Sequence, residues 1–175
     1  MKKHRLFFAL WPDDATRNTL EEFCGNAIAD CGGNHVKPEN FHITLRFLGQ
    51  VNFTSNRCLR KAAARAHGEP VKLMLDRLGF WSGPQVLWLG ANKVPDTLLR
   101  LAVNINTELG ECGFKPEDRP FRPHVTLARQ VTKPPESPSI SPLEWTATHF
   151  VMVESDTRPE GVRYKVLEKW PLTER

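Results

Sequence analysis

Residues 41–48 read Phe-His-Ile-Thr-Leu-Arg-Phe-Leu, closed by Gly49, and residues 124–129 read His-Val-Thr-Leu-Ala-Arg. Both runs are short, apolar and bounded by turn formers, Pro38-Glu39-Asn40 before the first and the Pro- and charge-rich loop 114–123 before the second, so both read as strands. Each repeats the pattern His, aliphatic, Thr, Leu. Side chains of a strand alternate between its two faces, which sends His42 and Thr44 one way and Ile43 and Leu45 the other; His124 and Thr126 separate from Val125 and Leu127 in the same manner. Each strand thus offers a polar pair on one side and an apolar pair to a core.

Outward from these strands the chain has the same order twice. Arg5 to Trp11 is a short aromatic-rich run ending at Pro12, and reads as a buried strand. Asp13 or Asp14 caps a helix whose apolar residues Leu20, Phe23, Cys24, Ala27 and Ile28 recur at helical spacing until Gly32-Gly33, giving a helix over about 14–31. The motif strand follows, with Gly49 as its stop. Residues 54–67 read as an exposed amphipathic helix, 71–78 as a strand, and 85–90 as a second strand joined to it across Ser82-Gly83-Pro84 in a hairpin. Leu98, Leu101, Ala102, Ile105 and Leu109 mark a helix closed by Gly110, and the second motif strand comes next. A Pro-rich surface loop at 134–142 and two strands near 145–155 and 162–169, joined by Arg-Pro-Glu-Gly, complete the pattern. Strand, helix, motif strand therefore occurs at 5–48 and in similar form at 85–129. An α+β fold is expected: one domain over 1–175, in a bilobal pseudo-two-fold arrangement of two antiparallel sheets flanked by helices, with an active-site groove between the lobes.

Composition narrows the class. A chain of 175 residues with 40% apolar content buries one continuous core unaided. Twenty-four Lys and Arg against twenty Asp and Glu leave +4, a mild excess that favours a phosphate-bearing partner if it is focused in one cleft. Cys24, Cys31, Cys58 and Cys112 form no Cys-x-x-Cys pair and are expected as reduced thiols of a cytoplasmic protein. The apolar run after Met1-Lys-Lys-His-Arg5 is too short to span a membrane and lacks a cleavage-type sequence.

Two imidazoles and two hydroxyls converging on one cleft make a phosphodiester site. A neutral His takes a proton from water and a charged His gives one to the departing oxygen, both from an intrinsic pKa near 6.5. Each Thr hydroxyl donates to a non-bridging phosphate oxygen. Neither motif contains an Asp, Glu or Cys to complete a metal shell, so no metal and no cofactor are expected. His4, His35, His67 and His149 have no such echo.

With these residues in view, the chain resembles the two-histidine (2H) phosphoesterase superfamily and, within it, the RNA 2′,3′-cyclic phosphodiesterases, historically called 2′-5′ RNA ligases. The resemblance rests on residues 5–10, 40–49, 119–129 and 163–172, with Phe-Leu-Gly at 47–49 and Arg-Pro-Phe at 119–121 beside the paired motifs. It implies a groove between pseudo-symmetric halves, with His42 as proton donor to the leaving oxygen and His124 as the base that activates water. The implied reaction opens a terminal 2′,3′-cyclic phosphate of RNA or a nucleotide to a 2′-phosphate, and its reversal joins such an end to a 5′-hydroxyl. A monomer with no obligate protein partner and no membrane attachment is expected. Strand physics alone does not say which histidine is the acid, and leaves open a non-catalytic RNA-binding module or a phosphodiesterase for another small substrate.

Around the motifs, the resemblance places a phosphate-binding Arg at Arg129, although its parity with His124 sends it to the opposite face unless the strand bulges. Arg46 has the parity of His42 and Thr44, and Arg122 adjoins the second motif in its loop. Phe121, Trp81 and Tyr164 are candidate platforms for a terminal base, whereas Phe7, Phe8, Phe41, Phe47 and Trp170 read as core.

Overall fold

The computed structural model describes residues 3–52, 55–136 and 140–174. The chain runs β1 (Lys3–Leu10), α1 (Asp14–Ala27), β2 (Asn34–His35), a 3-10 turn (Pro38–Asn40), β3 (Ile43–Asn52), α2 (Asn56–Arg65), β4 (Val71–Leu75), β5 (Arg77–Trp81), β6 (Val86–Gly90), α3 (Asp96–Gly110), β7 (His124–Arg129), β8 (Leu143–Ala147), β9 (His149–Arg158) and β10 (Gly161–Pro171). This is an α+β fold with two antiparallel sheets flanked by helices. The large sheet has the order β10-β9-β1-β3-β7-β6-β5, with β2 beside β7, and the small one pairs β4 with β8. No helix among the described residues is long and apolar enough to cross a membrane.

The two faces of the large sheet do different work. Leu6, Phe8, Leu10, Ile43, Leu45, Leu87, Leu89, Val125 and Leu127 point to one face, where Leu20 of α1, Leu59 and Ala62 of α2, Leu98, Leu101 and Ile105 of α3 and Trp145 of β8 complete the main core. Phe7, Ala9, Val151 and Val153 form a smaller cluster on the other face with Trp11, Tyr164 and Val166. The sheet also divides into halves. Among the described residues β3 meets β7 at one pair, Ile43 with Val125.

The helix expected over 14–31 is capped as foreseen, Thr16 N donating to Asp13 Oδ1 at 2.8 Å, but it ends at Ala27. Ile28 leaves helical geometry at φ −127°, and Ile28 and Cys31 reach the core from a turn. Gly33 then adopts φ +77°, and a Cβ there would lie 2.5 Å from the Arg129 carbonyl oxygen, so only glycine lets β2 close against the end of β7.

Four other expectations change. Gly49 does not stop β3, which continues to Asn52 while Gly49, at φ +69°, sits at a register shift against β1. The strand expected over 71–78 breaks at Asp76, which passes the chain from the small sheet to the large one; its N–H donates to the Gly90 carbonyl at 3.0 Å and its Oδ1 accepts from Asn92 N at 2.7 Å. The strand expected over 145–155 breaks likewise at Thr148, giving β8 and β9. Cys58 and Cys112 are not free thiols but a disulfide, Cα to Cα 5.8 Å, because α2 and α3 pack side by side and bring together residues with no local spacing signal. Cys24 and Cys31 are free. Residue 54 of the expected helix and residues 137–139 of the expected Pro-rich loop lie outside the described residues.

The hairpin of β5 and β6 and the helix closed by Gly110 match the sequence reading. In both motif strands, however, the Leu of His-x-Thr-Leu is an extra residue in the ladder. Ala9 pairs with Thr44 and Phe8 with Arg46, skipping Leu45; Trp88 pairs with Thr126 and Leu87 with Ala128, skipping Leu127. Each bulge reverses the parity of the residues beyond it. Arg46 therefore turns away from His42, against expectation, and is 7% exposed, donating to the Lys115 carbonyl beside Glu117 at 3.7 Å. Its partner is the loop that leads into the second motif.

Replacing Arg46 by Ala should cost about 3 kcal/mol, from the lost charge-assisted hydrogen bond and the buried stem together. Urea unfolding should show a lower midpoint at unchanged slope; a midpoint within experimental error of wild type would contradict this role.

Candidate active site

Ile43 stands opposite Val125 in antiparallel register, which sets His42 across from Thr126 and Thr44 across from His124. All four polar side chains share the face opposite the main core. Cross-strand neighbours on one face lie roughly 5 Å apart at Cβ and diagonal ones roughly 7–8 Å, so one small group reaches both rings.

The two imidazoles are held alike. His42 Nδ1–H donates to the Asn40 carbonyl at 2.7 Å, and His124 Nδ1–H donates to the Arg122 carbonyl at 2.7 Å. In each case the acceptor lies two residues upstream, in the turn that delivers the chain to the motif. A carbonyl only accepts, so the proton sits on Nδ1 and the neutral ring keeps Nε2 as a free base. Thr44 Oγ1 is 3.1 Å from His42 Nε2.

Their surroundings differ. His42 stacks on Trp11 with centroids 5.5 Å apart and planes 13° apart, and meets Phe7 at 5.0 Å and the edge of Tyr164 at 5.2 Å. Burial pushes its pKa down to about 4; the Asn40 carbonyl opposes this, and the charges of His124 and Arg129 add to it. His124 meets Trp81 edge-on at 4.6 Å and Trp88 at 6.4 Å. Burial lowers its pKa as well, opposed by the Arg122 carbonyl and assisted by Arg129. A cavity of about 590 Å³ opens beside His42 and is lined also by Asn40, Thr126, Arg129, Tyr164 and Lys37.

Arg129 reaches this cavity because the Leu127 bulge returns it to the face of His124 and Thr126. Phe47 holds the corresponding place after the first motif, 55% exposed and 5.7 Å from Phe7, rather than in the core as expected. Phe7 is buried but belongs to the site face. Phe8, Phe41 and Trp170 lie in the main core as read, and Phe121 packs against it rather than serving as a platform. Trp81 and Tyr164 do stand beside the motif histidines. Arg122 is exposed, and its backbone contributes more visibly than its charge. Sequence reasoning missed Trp11, Trp88 and Lys37. Phe7, Ala9 and Trp11 lie two residues apart on the face opposite Leu6, Phe8 and Leu10, so the alternation in β1 held a signal for Trp11. Among the described residues no three His, Cys, Asp or Glu side chains gather as metal ligands.

A family model described as the 2′-5′ RNA ligase superfamily matches residues 12–159. The RNA 2′,3′-cyclic phosphodiesterase of Escherichia coli K12 is 32% identical over 174 residues, covering 97% of each chain. That of Thermus thermophilus is 32% identical over 180 residues, covering 96% of this chain and 90% of the relative. The crystal structure of E. coli LigT complexed with 3′-AMP superposes with a TM-score of 0.86 at 30% identity, covering 99% of this chain and all of that one.

Histidine side-chain NMR provides a direct check on the electrostatics. His42 should titrate near pH 4 and His124 below 6.5, both as Nδ1–H tautomers. Arg129→Ala should raise both pKa values, because removing a neighbouring cation favours each imidazolium. Unmoved titrations would show that Arg129 does not act on the rings.

Proposed function

The chain belongs to the 2′-5′ RNA ligase superfamily, and from that premise we propose that it opens 2′,3′-cyclic phosphate ends of RNA or nucleotides, with His42 as general acid and His124 as general base. The observation that carries this reading is the matched pair of imidazoles on adjacent strands, each anchored through Nδ1–H and each presenting Nε2 on the same face as two threonine hydroxyls. The relatives' activity, named as RNA 2′,3′-cyclic phosphodiesterase, supports the substrate.

Bound in the cavity beside His42, the terminal nucleoside places its cyclic phosphate between the rings. Water attacks phosphorus and passes a proton to His124 Nε2. The bond from phosphorus to the 3′-oxygen breaks, and that oxygen takes a proton from His42 Nε2, leaving a 2′-phosphate and a free 3′-hydroxyl. Thr44 and Thr126 donate to the non-bridging oxygens, and Arg129 binds the same group by charge. With a 5′-hydroxyl in place of water, the same step joins ends in a 2′-5′ linkage. The histidines only take and give protons while one phosphorus–oxygen bond forms and another breaks, and the scheme needs no metal. We read residues 1–175 as one domain of two pseudo-symmetric lobes, acting as a cytoplasmic monomer.

Both resting imidazoles are neutral at pH 7, so the acid must gain its proton, and the phosphate monoanion supplies the field that favours this. The profile of kcat/KM, which reports the free enzyme, should be a bell with limbs near pH 4 and below 6.5; the kcat profile should lie at higher pH. A kcat/KM maximum above pH 7 would contradict these shifts.

His42→Ala and His124→Ala should each lower turnover of a nucleoside 2′,3′-cyclic phosphate by about 100-fold or more. Arg129→Ala should weaken kcat/KM by about tenfold, and EDTA should leave the wild-type rate unchanged. Full activity in both histidine variants would remove the proposal.

A further inference from the structure

The two motif histidines do not sit in equivalent walls. On the His42 side Phe7 is 2% exposed, and Phe7, Trp11 and Tyr164 close around the ring. On the His124 side the sheet ends. β5 is the edge strand, and Trp81 at its end stays only half-buried, with its ring 4.6 Å from His124 and 5.2 Å from Trp88. Trp88 pairs with Thr126 where Ala9 pairs with Thr44, so the second half carries an indole where the first carries a methyl.

That indole is built in. A Cβ on Gly79 would lie 2.1 Å from the Trp88 ring and one on Gly90 2.9 Å away, so the ring rests on two bare stretches of backbone. The Arg77 guanidinium lies 5.6 Å from its centroid. Trp88 thus fixes Trp81 from behind, and Trp81 is left beside His124 on the open side of the site.

In-line displacement at phosphorus puts the entering and departing oxygens on opposite sides. The nucleoside that carries the cyclic phosphate belongs on the departing side, and the cavity lies beside His42, with His124 not among its lining residues. Whatever delivers the entering oxygen therefore approaches past His124 and Trp81. Water needs no platform, but a nucleoside 5′-hydroxyl arrives with a base attached.

We propose that Trp81, backed by Trp88, is the stacking platform for the first nucleobase of a 5′-hydroxyl polynucleotide, the acceptor strand in the joining direction. The proposal rests on the assignment of His124 to the nucleophile. In the joining step the acceptor 5′-oxygen bonds to phosphorus and its proton passes to His124. The bond to the 3′-oxygen breaks and His42 protonates that oxygen, so a 2′-5′ diester and a 3′-hydroxyl form with no other reactant.

The test uses RNA ending in a 2′,3′-cyclic phosphate with millimolar 5′-hydroxyl oligoadenylate, and reads the ratio of joined to hydrolysed product. Any general effect on His124 cancels in that ratio. It should fall about tenfold in Trp81→Ala, the scale of one lost base–aromatic stack, and recover in Trp81→Phe. Wild-type enzyme given an acceptor whose first residue is abasic should show the same fall, a measurement independent of whether the variants fold. An unchanged ratio in Trp81→Ala, equal capture of the abasic acceptor, or no joined product from wild type would overturn the platform. Absence of hydrolysis in wild type would instead remove the underlying function.

Discussion

Among the described residues Ile43 with Val125 is the one ladder pair that joins β3 to β7, yet the register at that point determines what shares the catalytic face. A slip of one residue would exchange polar and apolar partners along the whole motif, because strand side chains alternate strictly. The two apolar residues are fully buried, so the core resists such a slip with the full burial energy of the strand. Catalytic alignment is thus maintained by hydrophobic packing on the side of the sheet that never meets substrate. The bulge at each motif leucine then adjusts the rest of its strand, bringing Arg129 in and turning Arg46 out.

The paired motifs, their polar and apolar faces, the α+β class and most elements were legible in the sequence because each leaves a local periodicity. What escaped was set by residues distant in the chain. Bulges at Leu45 and Leu127 depend on the partner strand's register, so neither the inward turn of Arg129 nor the burial of Arg46 can be had from parity. The breaks at Asp76 and Thr148 interrupt runs that read as continuous strands, since both sides of each break are apolar and only the choice of sheet differs. The disulfide depends on how α2 packs on α3, and the aromatic surroundings of His42 assemble from β1, β10 and the start of the loop after β1.

Both imidazoles are kept neutral by burial, and the Arg129 guanidinium stands near them. Such a site is poorly disposed to bind cations and well disposed to bind one negative charge. A phosphate monoanion offsets the desolvation and the lesser repulsion that lower the pKa values, and makes one ring ready to donate. Protonation of the acid is thereby coupled to occupancy.

The strand order carries a consequence for biosynthesis. β1 is made well before β9, which is one of its neighbours, with Arg5 paired to Ser155, and Tyr164 of β10 forms part of the wall around His42. At elongation rates of about 5–20 residues per second, the first strand waits roughly 7–30 seconds for that neighbour to emerge. Until then β1 presents an unpaired edge of Leu, Phe and Ala to its surroundings. The half of the molecule that carries the first histidine therefore closes only once β9 and β10 have emerged, and through that interval β3 alone pairs with β1.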